Sequence, residues 1–342
     1  MLNIFTHDLG IDLGAANALV YVREHGVVLR EPAVVAVERA TNRILAVGDE
    51  AKRMLGRTPE KIIAMRPRRD GVVANLEITE AMLRHFIEKV HSRRKKAKPR
   101  IVLAVPSAIL ELERRSLKET GLRAGAREVH LIEEPLAAAI GAGLPVQDAA
   151  ANLIVDIGAS TTEVALISLS GVVFSRSVRV AGDKLDEAIT RYLRRAYDLL
   201  IGERTAEEIK IKIGSAYNEG RDTKMDVQGR HLMTERPRTV TIHSEEIRSA
   251  MEDPLQVISD TILAVLEQCP PELAVDLVDR GLVLAGGGAL LGGVSKFLAK
   301  ETGLPVHVAE DPLSAVVEGT GRLLDELRFV KRSASDAERQ WN

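Results

Sequence analysis

Two carboxylates recur in one short frame. Residues 10–20 read Gly-Ile-Asp-Leu-Gly-Ala-Ala-Asn-Ala-Leu-Val, and residues 154–164 read Ile-Val-Asp-Ile-Gly-Ala-Ser-Thr-Thr-Glu-Val. Each is an apolar run, an Asp-x-Gly turn of small residues, and a second apolar run, which predicts a β-hairpin with several exposed backbone N–H groups. Small residues let backbone approach a ligand closely, and oriented N–H groups form an anion-binding nest. Asp12 and Asp156 carry the wrong charge to touch phosphate; holding a hydrated Mg²⁺ against phosphates suits them. A lone Asp-x-Gly is as readily a turn device, but two in matching contexts predict a cleft clamped from both sides. A third segment adds to this: Leu282-Val283-Leu284-Ala285 runs into Gly286-Gly287-Gly288-Ala289. Backbone free of side chains can lie flat against an adenine or ribose, and a helix starting at Ala289 would offer N–H groups to a phosphate. A flexible glycine turn is the plainer alternative.

A second duplication shows which elements must position these turns. Lys118-Glu119-Thr120-Gly121-Leu122 recurs as Lys300-Glu301-Thr302-Gly303-Leu304. The stretch Val129–Ala138 then matches Val306–Ala315 at six of ten positions, including Glu134-Pro135 against Asp311-Pro312 up to the acidic exchange. A helix end, a strand and an acidic-Pro helix start in the same order predict two homologous α/β halves. The expected boundaries are 1–150 for the first half and 151–330 for the second, with 331–342 as a frayed polar tail.

Bulk properties fit this. A length of 342 residues is a two-domain length. With 45% hydrophobic and 28% charged residues the chain has an ordinary globular composition, and a net charge of −2 gives it no overall polyanion-binding character. Aromatics at 3% argue against a base-stacking surface and hence against nucleic acid. The one cysteine, Cys269, allows no internal disulfide and fits a reducing cytosol. The first residues lack the basic start of a signal peptide, and the longest charge-free apolar stretch, Gly281–Val294, is too short to span a bilayer. A cytosolic or peripheral protein is expected.

Finer expectations follow from periodicity and turn residues. Ala33–Val37 and Arg43–Val47 read as strands about a turn at Thr41-Asn42, and Thr79–Val90 as an amphipathic helix. Leu110–Thr120 reads as a helix ended by Gly121, Val129–Ile132 as a strand, and Glu134–Gly141 as a helix. In the second half, Val172–Val180 is a strand and Leu185–Leu200 a helix, and Thr205–Ile213 is a helix with Thr205 and Glu208 in capping-box spacing. Residues 214–244 are polar and irregular up to Thr239–His243, and Ser244–Gln268 is a helix broken at Pro254.

The ordered set Asp12-Leu13-Gly14, Glu133-Glu134-Pro135, Asp156-Ile157-Gly158, Thr161-Thr162-Glu163 and Gly286-Gly287-Gly288 resembles the actin/heat-shock ATPase/sugar kinase superfamily. Within it, Leu131–Gly141, Ile201–Glu207 and Gln268–Leu273 are similar to the MreB family of bacterial actins, over roughly residues 8–328. The resemblance implies an actin-like ATPase fold of two duplicated ribonuclease-H-like lobes, in four subdomains, around a nucleotide cleft. The extra subdomains would be inserted at about 32–75 and 183–255. It implies ATP and Mg²⁺ as ligands, slow hydrolysis coupled to polymerisation, and membrane-associated filaments of paired protofilaments. These would set rod shape and organise cell-wall synthesis, with transmembrane cell-wall elongation proteins as partners.

Residue by residue, Gly14, Ala15, Ala16 and Asn17 would form the first phosphate loop, and Gly158, Ala159, Ser160 and Thr161 the second. Glu207 and Lys210, with Glu208 and Ile209 between them, would face the adenosine, as would Gly286, Gly287, Gly288 and Ala289. Asp12 and Asp156 would hold the metal through water. Glu134 would orient or deprotonate the attacking water with help from Thr161; its plainer role is a negative charge opposing the helix dipole.

This chain departs from the family pattern at three places. Ala15 stands where relatives have Thr, and Ala159 and Ser160 stand where they have Gly, which would strain the loop if either position requires positive φ. Some relatives attach to lipid through an apolar pair in the loop after the first-lobe helix. Here that loop is Ser92-Arg93-Arg94-Lys95-Lys96-Ala97-Lys98, which suits an anionic membrane at about 1 kcal/mol per charge, or else simply a solvated loop. Leu2, Ile4 and Phe5 offer a minimal apolar anchor. A soluble sugar or acetate kinase, a non-polymerising actin-like ATPase and a heat-shock chaperone share the superfamily. The chain shows no small-molecule pocket insertion and no peptide-binding domain beyond residue 330.

Overall fold

The structure is a computed structural model that describes residues 7–41, 43–54, 61–69, 72–73, 75–91, 98–218, 220 and 222–340. The chain divides into two units, Met1–Pro145 with Leu313–Asn342, and Val146–Pro312. The second unit therefore begins slightly before, and ends well before, the 151–330 expected from the sequence.

The first unit is built on a five-stranded sheet. Strands β1 (Leu9–Leu13), β2 (Asn17–Val22) and β3 (Gly26–Pro32) form an antiparallel meander. A small sheet follows, made of β4 (Val35–Glu38), β5 (Ile44–Val47) and β6 (Ile62–Met65), with helix α1 (Asp49–Met54) between the last two. The expected turn at Thr41-Asn42 lies partly outside the described residues. A two-stranded ribbon pairs β7 (Arg68–Arg69) with β8 (Val72–Val73).

Helix α2 (Leu76–Val90) starts three residues before the sequence reading placed it, because the Asn75 side chain accepts from the N–H groups of Glu77 and Ile78. Its buried stripe of Ile78, Met82, Leu83, Phe86 and Ile87 packs in one core with Leu9, Ile11, Ile101 and Leu103. Strands β9 (Arg100–Val105) and β10 (Glu128–Glu133) extend the main sheet in parallel with β1, with α3 (Glu111–Arg123) between them. Every residue of β9 is buried, as a central parallel strand requires. Gly121 does not end α3. It lies inside the helix where a Cβ would come within 2.8 Å of Val129, so the glycine serves close packing rather than termination. Helix α4 (Glu134–Gly141) begins directly at the acidic-Pro pair.

The second unit repeats the plan. Strands β11 (Asn152–Ile157), β12 (Thr162–Ser168) and β13 (Gly171–Val178) form the meander. Helix α5 (Gly182–Tyr197) and the short strand β14 (Leu199–Leu200) come next, followed by α6 (Glu203–Ile213). The expected capping box at Thr205 and Glu208 is not formed. Gly202 precedes the helix, Thr205 lies in its first turn, and the Glu208 carboxylate accepts from Lys212 one turn on.

The stretch expected to be irregular contains a hairpin, β15 (Lys224–His231) with β16 (Pro237–His243), whose inward residues Val227, Val240 and Ile242 alternate with polar ones. Helix α7 (Ser244–Leu266) is continuous through Pro254. The ~3 kcal/mol cost of an internal proline is offset by the long buried face of Ile247, Met251, Leu255, Ile258 and Ile262. After α8 (Pro271–Arg280), strand β17 (Leu282–Ala285) joins β11 in parallel. Gly287–Leu290 is a 3₁₀ turn, not an α-helix start at Ala289; α9 (Val294–Thr302) begins later and leads to β18 (Val306–Val308).

Helix α10 (Ala315–Gln340) returns to the first unit. It crosses α4 at contact distance: a Cβ on Gly319 would sit 1.9 Å from the Ala137 carbonyl oxygen, and one on Gly141 would sit 1.7 Å from that of Ala315. The helix continues through the segment expected to fray from Lys331, since nothing after Gly321 interrupts it. The main sheets have orders β10-β9-β1-β2-β3 and β13-β12-β11-β17-β18, the same order read from opposite edges. Among the described residues no helix is long and apolar enough to cross a membrane.

Candidate functional site

In the first unit, Asp12 is the penultimate residue of β1 and pairs across the hairpin with Leu19. The turn from Gly14 to Asn17 is tight, and a Cβ on Gly14 would lie 2.7 Å from the Asn17 carbonyl oxygen. Ala15 and Ala16 are half-buried and Asn17 is exposed, so the turn presents backbone rather than bulky side chains.

Glu134, the first residue of α4, is 7% exposed. Its carboxylate is met by Arg68 from β7, whose Nη1 and Nη2 donate to the two carboxylate oxygens, the second at 3.4 Å. Arg68 Nη1 also donates to the Leu13 carbonyl oxygen at 2.9 Å, which ties the ion pair to the start of the turn. Burial, and then the negative charge of Glu134, push the Asp12 pKa up to about 7, against the lowering pull of Arg68. Asp12 therefore sits where a divalent cation would displace a proton near neutral pH.

In the second unit, Asp156 is again penultimate in its strand, paired across the hairpin with Glu163, and is buried. The turn is closed by Gly158 N–H to the Thr161 carbonyl at 2.9 Å. The start of α5 binds it from behind: Gly182 N–H donates to Gly158 O at 3.3 Å and Asp183 N–H to Ala159 O at 2.7 Å. Ser160 is buried, while Ala159 and Thr161 are half-buried. Neither Ala15, Ala159 nor Ser160 has positive φ, so replacing the family's usual residues strains neither loop.

Gly286 does have positive φ, 78°, and a Cβ there would lie 2.3 Å from Asp156 Oδ1. The glycine thus leaves room for the Asp156 carboxylate. Gly288 packs flat against Ile157, Gly287 is exposed and Ala289 is buried, so in this run the exposed surface is backbone.

The four residues from 207 to 210 do not act as one surface. Ile209 is fully buried in the core, and Glu208 pairs with Lys212 on the exposed side. Glu207 is exposed, and half-buried Lys210 donates to Asp186 Oδ2 at 2.9 Å and to Gly182 O at 3.2 Å. Burial raises the Asp186 pKa to about 6, with Lys210 opposing and Glu207 and Asp183 adding to the rise.

Sequence reasoning missed Arg68 and Asp186. One signal was available for the first: a carboxylate at the start of the apolar run Pro135-Leu136-Ala137-Ala138-Ala139 needs a cation if it is to stay charged when buried. The basic run Arg66-Pro67-Arg68-Arg69 was the place to look. Among the described residues no group of three or more His, Cys, Asp or Glu is placed to hold a metal ion. Mg²⁺ asks for less, one or two carboxylates completed by water and phosphate, and in its own unit each of Asp12 and Asp156 offers oxygens of that kind. The basic loop at 93–97 and the apolar residues Leu2, Ile4 and Phe5 lie outside the described residues.

The MreB/Mbl protein family model matches residues 6–332. The cell shape-determining protein MreB of Escherichia coli K12 is 53% identical over 327 residues, 94% of each chain. The cell shape-determining protein Mbl of Bacillus subtilis 168 is 46% identical over 333 residues, 97% of this chain and all of that protein. Among solved structures, MreB5 of Spiroplasma citri bound to ADP superposes with TM-score 0.90 at 36% identity, covering 94% of this chain and 97% of that one. The MamK double helical filament, at 20% identity and TM-score 0.79, shares the fold.

Proposed function

The chain belongs to the MreB/Mbl family and has its actin-like fold, and from that premise we propose that it is a slow, polymerisation-coupled ATPase whose filaments determine cell shape at the inner face of the cell membrane. The observation that carries the reading is the Asp-x-Gly hairpin, built twice on the same sheet frame with its carboxylate at the same register position. Nucleotide as ligand is supported by the relative MreB5, which has been solved with ADP and with AMPPNP.

The residues divide the work as follows. Backbone N–H groups of the loops 14–17 and 158–161, other than that of Gly158, which closes its turn, bind phosphate oxygens, and Asp12 and Asp156 would each hold water of a bound Mg²⁺. Mg²⁺, when bound, neutralises charge on the transferring phosphate. Glu134 accepts a proton from, or orients, the attacking water, and Thr161 assists. Ala15 removes a hydroxyl donor without removing the backbone donors, so nucleotide binding is kept. Glu207 faces the adenosine, Gly286–Gly288 offer backbone to it, and Lys210 approaches it from its bonds to Asp186 and Gly182.

Membrane attachment rests on charge. Arg93, Arg94, Lys95, Lys96 and Lys98 stand where some relatives are expected to place apolar anchors, and attraction of this kind is screened over about 8–10 Å. Binding to anionic vesicles therefore falls steeply with salt and is lost when Arg94, Lys95 and Lys96 are changed to Glu. Removal of residues 1–5 has the smaller effect; the reverse order would make the N-terminus the anchor. Membrane-spanning proteins of cell-wall elongation are the further partners. The deciding experiment for the whole reading is sedimentation with Mg-ATP, with and without anionic liposomes. A filament protein pellets, whereas a soluble sugar or acetate kinase stays in the supernatant.

A further inference from the structure

Arg68 is the one member of the first half-site that comes from outside the duplicated frame. It stands on the two-residue strand β7, while Asp12 and Glu134 stand on β1 and α4, elements that the second unit repeats or echoes in sequence. Its side chain and that of Glu134 are only 7% and 9% exposed, and the two are joined through both nitrogens and both oxygens. The same guanidinium holds the Leu13 carbonyl oxygen at 2.9 Å. One rigid planar group thus fixes the carboxylate relative to the turn that begins at Gly14.

Stability does not explain this pair. Taking two charges out of water costs about as much as their attraction returns, and apolar residues of similar volume serve a core as well or better. The aligned acidic residue of the second unit, Asp311, is exposed at a turn before α10, so the duplicated frame does not itself demand a buried pair at this position. What the pair supplies is direction. A buried carboxylate on the first residue of a helix can swing about its own side-chain torsions, and the Arg68 fork removes that freedom.

We propose that Arg68 is a positioning residue for ATP hydrolysis, holding the Glu134 carboxylate in register with the first loop so that it addresses the attacking water. This rests on the reading of Glu134 given above. Misplacing a catalytic group by about 1 Å costs on the order of 100-fold in rate. Replacing Arg68 should therefore lower kcat and leave KM nearly unchanged, because Arg68 acts through its bonds to Glu134 and the Leu13 carbonyl.

The test compares R68K and R68Q with wild type and E134Q, using phosphate release under single-turnover and steady-state conditions on the full chain. R68Q should lower kcat about 10–100-fold and R68K about 3–10-fold, with KM within about threefold of wild type. Each should change the rate less than about twofold when added to E134Q, since a positioning residue has nothing left to position. A nucleotide-free crystal structure of R68Q should show the Glu134 carboxylate turned from its present place. Wild-type kcat in both Arg68 variants, or a full further loss on top of E134Q, would overturn the proposal. Wild-type hydrolysis by E134Q itself would instead overturn the role given to Glu134. If R68Q does not fold, the R68K series, which keeps the charge, carries the same comparison.

Discussion

The two hairpin turns share a backbone and differ in what surrounds it. Both carry Asp as the penultimate residue of a sheet strand, and both are closed by small residues. At the first turn the neighbours are charged side chains: Glu134 and Arg68, with Asp12 pushed up to about 7. At the second, backbone takes a larger part beside the buried Glu163: the start of α5 is bonded to Gly158 and Ala159, and Gly286 makes way for Asp156. The frame is present twice, and in the first copy Arg68, from outside the frame, meets the Glu134 carboxylate. A cradle is a property of the backbone and survives duplication; a proton acceptor depends on its environment and has to be built locally.

The largest expected effect tests that asymmetry directly. Glu134→Ala or Glu134→Gln should slow phosphate release by about 10²–10⁴-fold while nucleotide affinity stays within a few-fold. Asp311→Asn, at the aligned position of the second unit, should leave the rate unchanged. Equal effects at both positions would erase the difference between the two halves.

The carboxylates of the turns should instead behave alike in binding. Asp12→Ala and Asp156→Ala should each weaken affinity for a fluorescent Mg-ATP analogue by roughly tenfold or more, about 1.4 kcal/mol or above. Unchanged affinity in both would remove the metal assignment.

Their pH dependence should then separate them. With its pKa near 7 in the folded chain against 3.8 ordinarily, Asp12 holds a proton through the window from about pH 4 to 7 that the unfolded chain has released. Its contribution to stability is therefore present at low pH and declines as pH rises through that window. Metal binding must expel the same proton, so Mg-nucleotide affinity should rise with pH by up to about tenfold per unit and level off above 7. The slope should vanish in Asp12→Asn and persist in Asp156→Asn.

The smallest effects concern the cradles themselves. Gly286→Ala should cost about 1–3 kcal/mol in urea unfolding, because positive φ and the Asp156 carboxylate both oppose a Cβ. Ala159→Gly should cost at most about 1 kcal/mol, since Ala159 has ordinary φ and glycine merely loosens the unfolded chain. A large stabilisation by Ala159→Gly would mean the second loop is strained after all.

Much of the repeated frame was legible in the sequence because its signals are local. Apolar runs around Asp-x-Gly fix a hairpin, and Glu134-Pro135 starts α4 at the residue expected, since proline suits a helix's first turn. Several misreadings depended on contacts distant in sequence. Pro254 and Gly121 look like helix ends until their buried neighbours are known, and the β15–β16 hairpin hides its alternation among charged residues. Arg68 was missed for the same reason, being 66 positions from the carboxylate it serves.

The return of α10 to the first unit has a consequence for how the chain is made. Gly319 and Gly141 let α10 lie directly on α4, and α10 also packs on β1, so the core beneath β1 is not closed until the last part of the chain exists. A ribosome adding about 5–20 residues per second needs roughly 10–35 s to pass from the end of α4 to Gly319. During that time the second unit, contiguous from Val146 to Pro312, can fold as a whole, while the first waits with an apolar face bare. The half that carries the ion pair is thus completed last, and nascent chains cut short before α10 should be a natural substrate for chaperones.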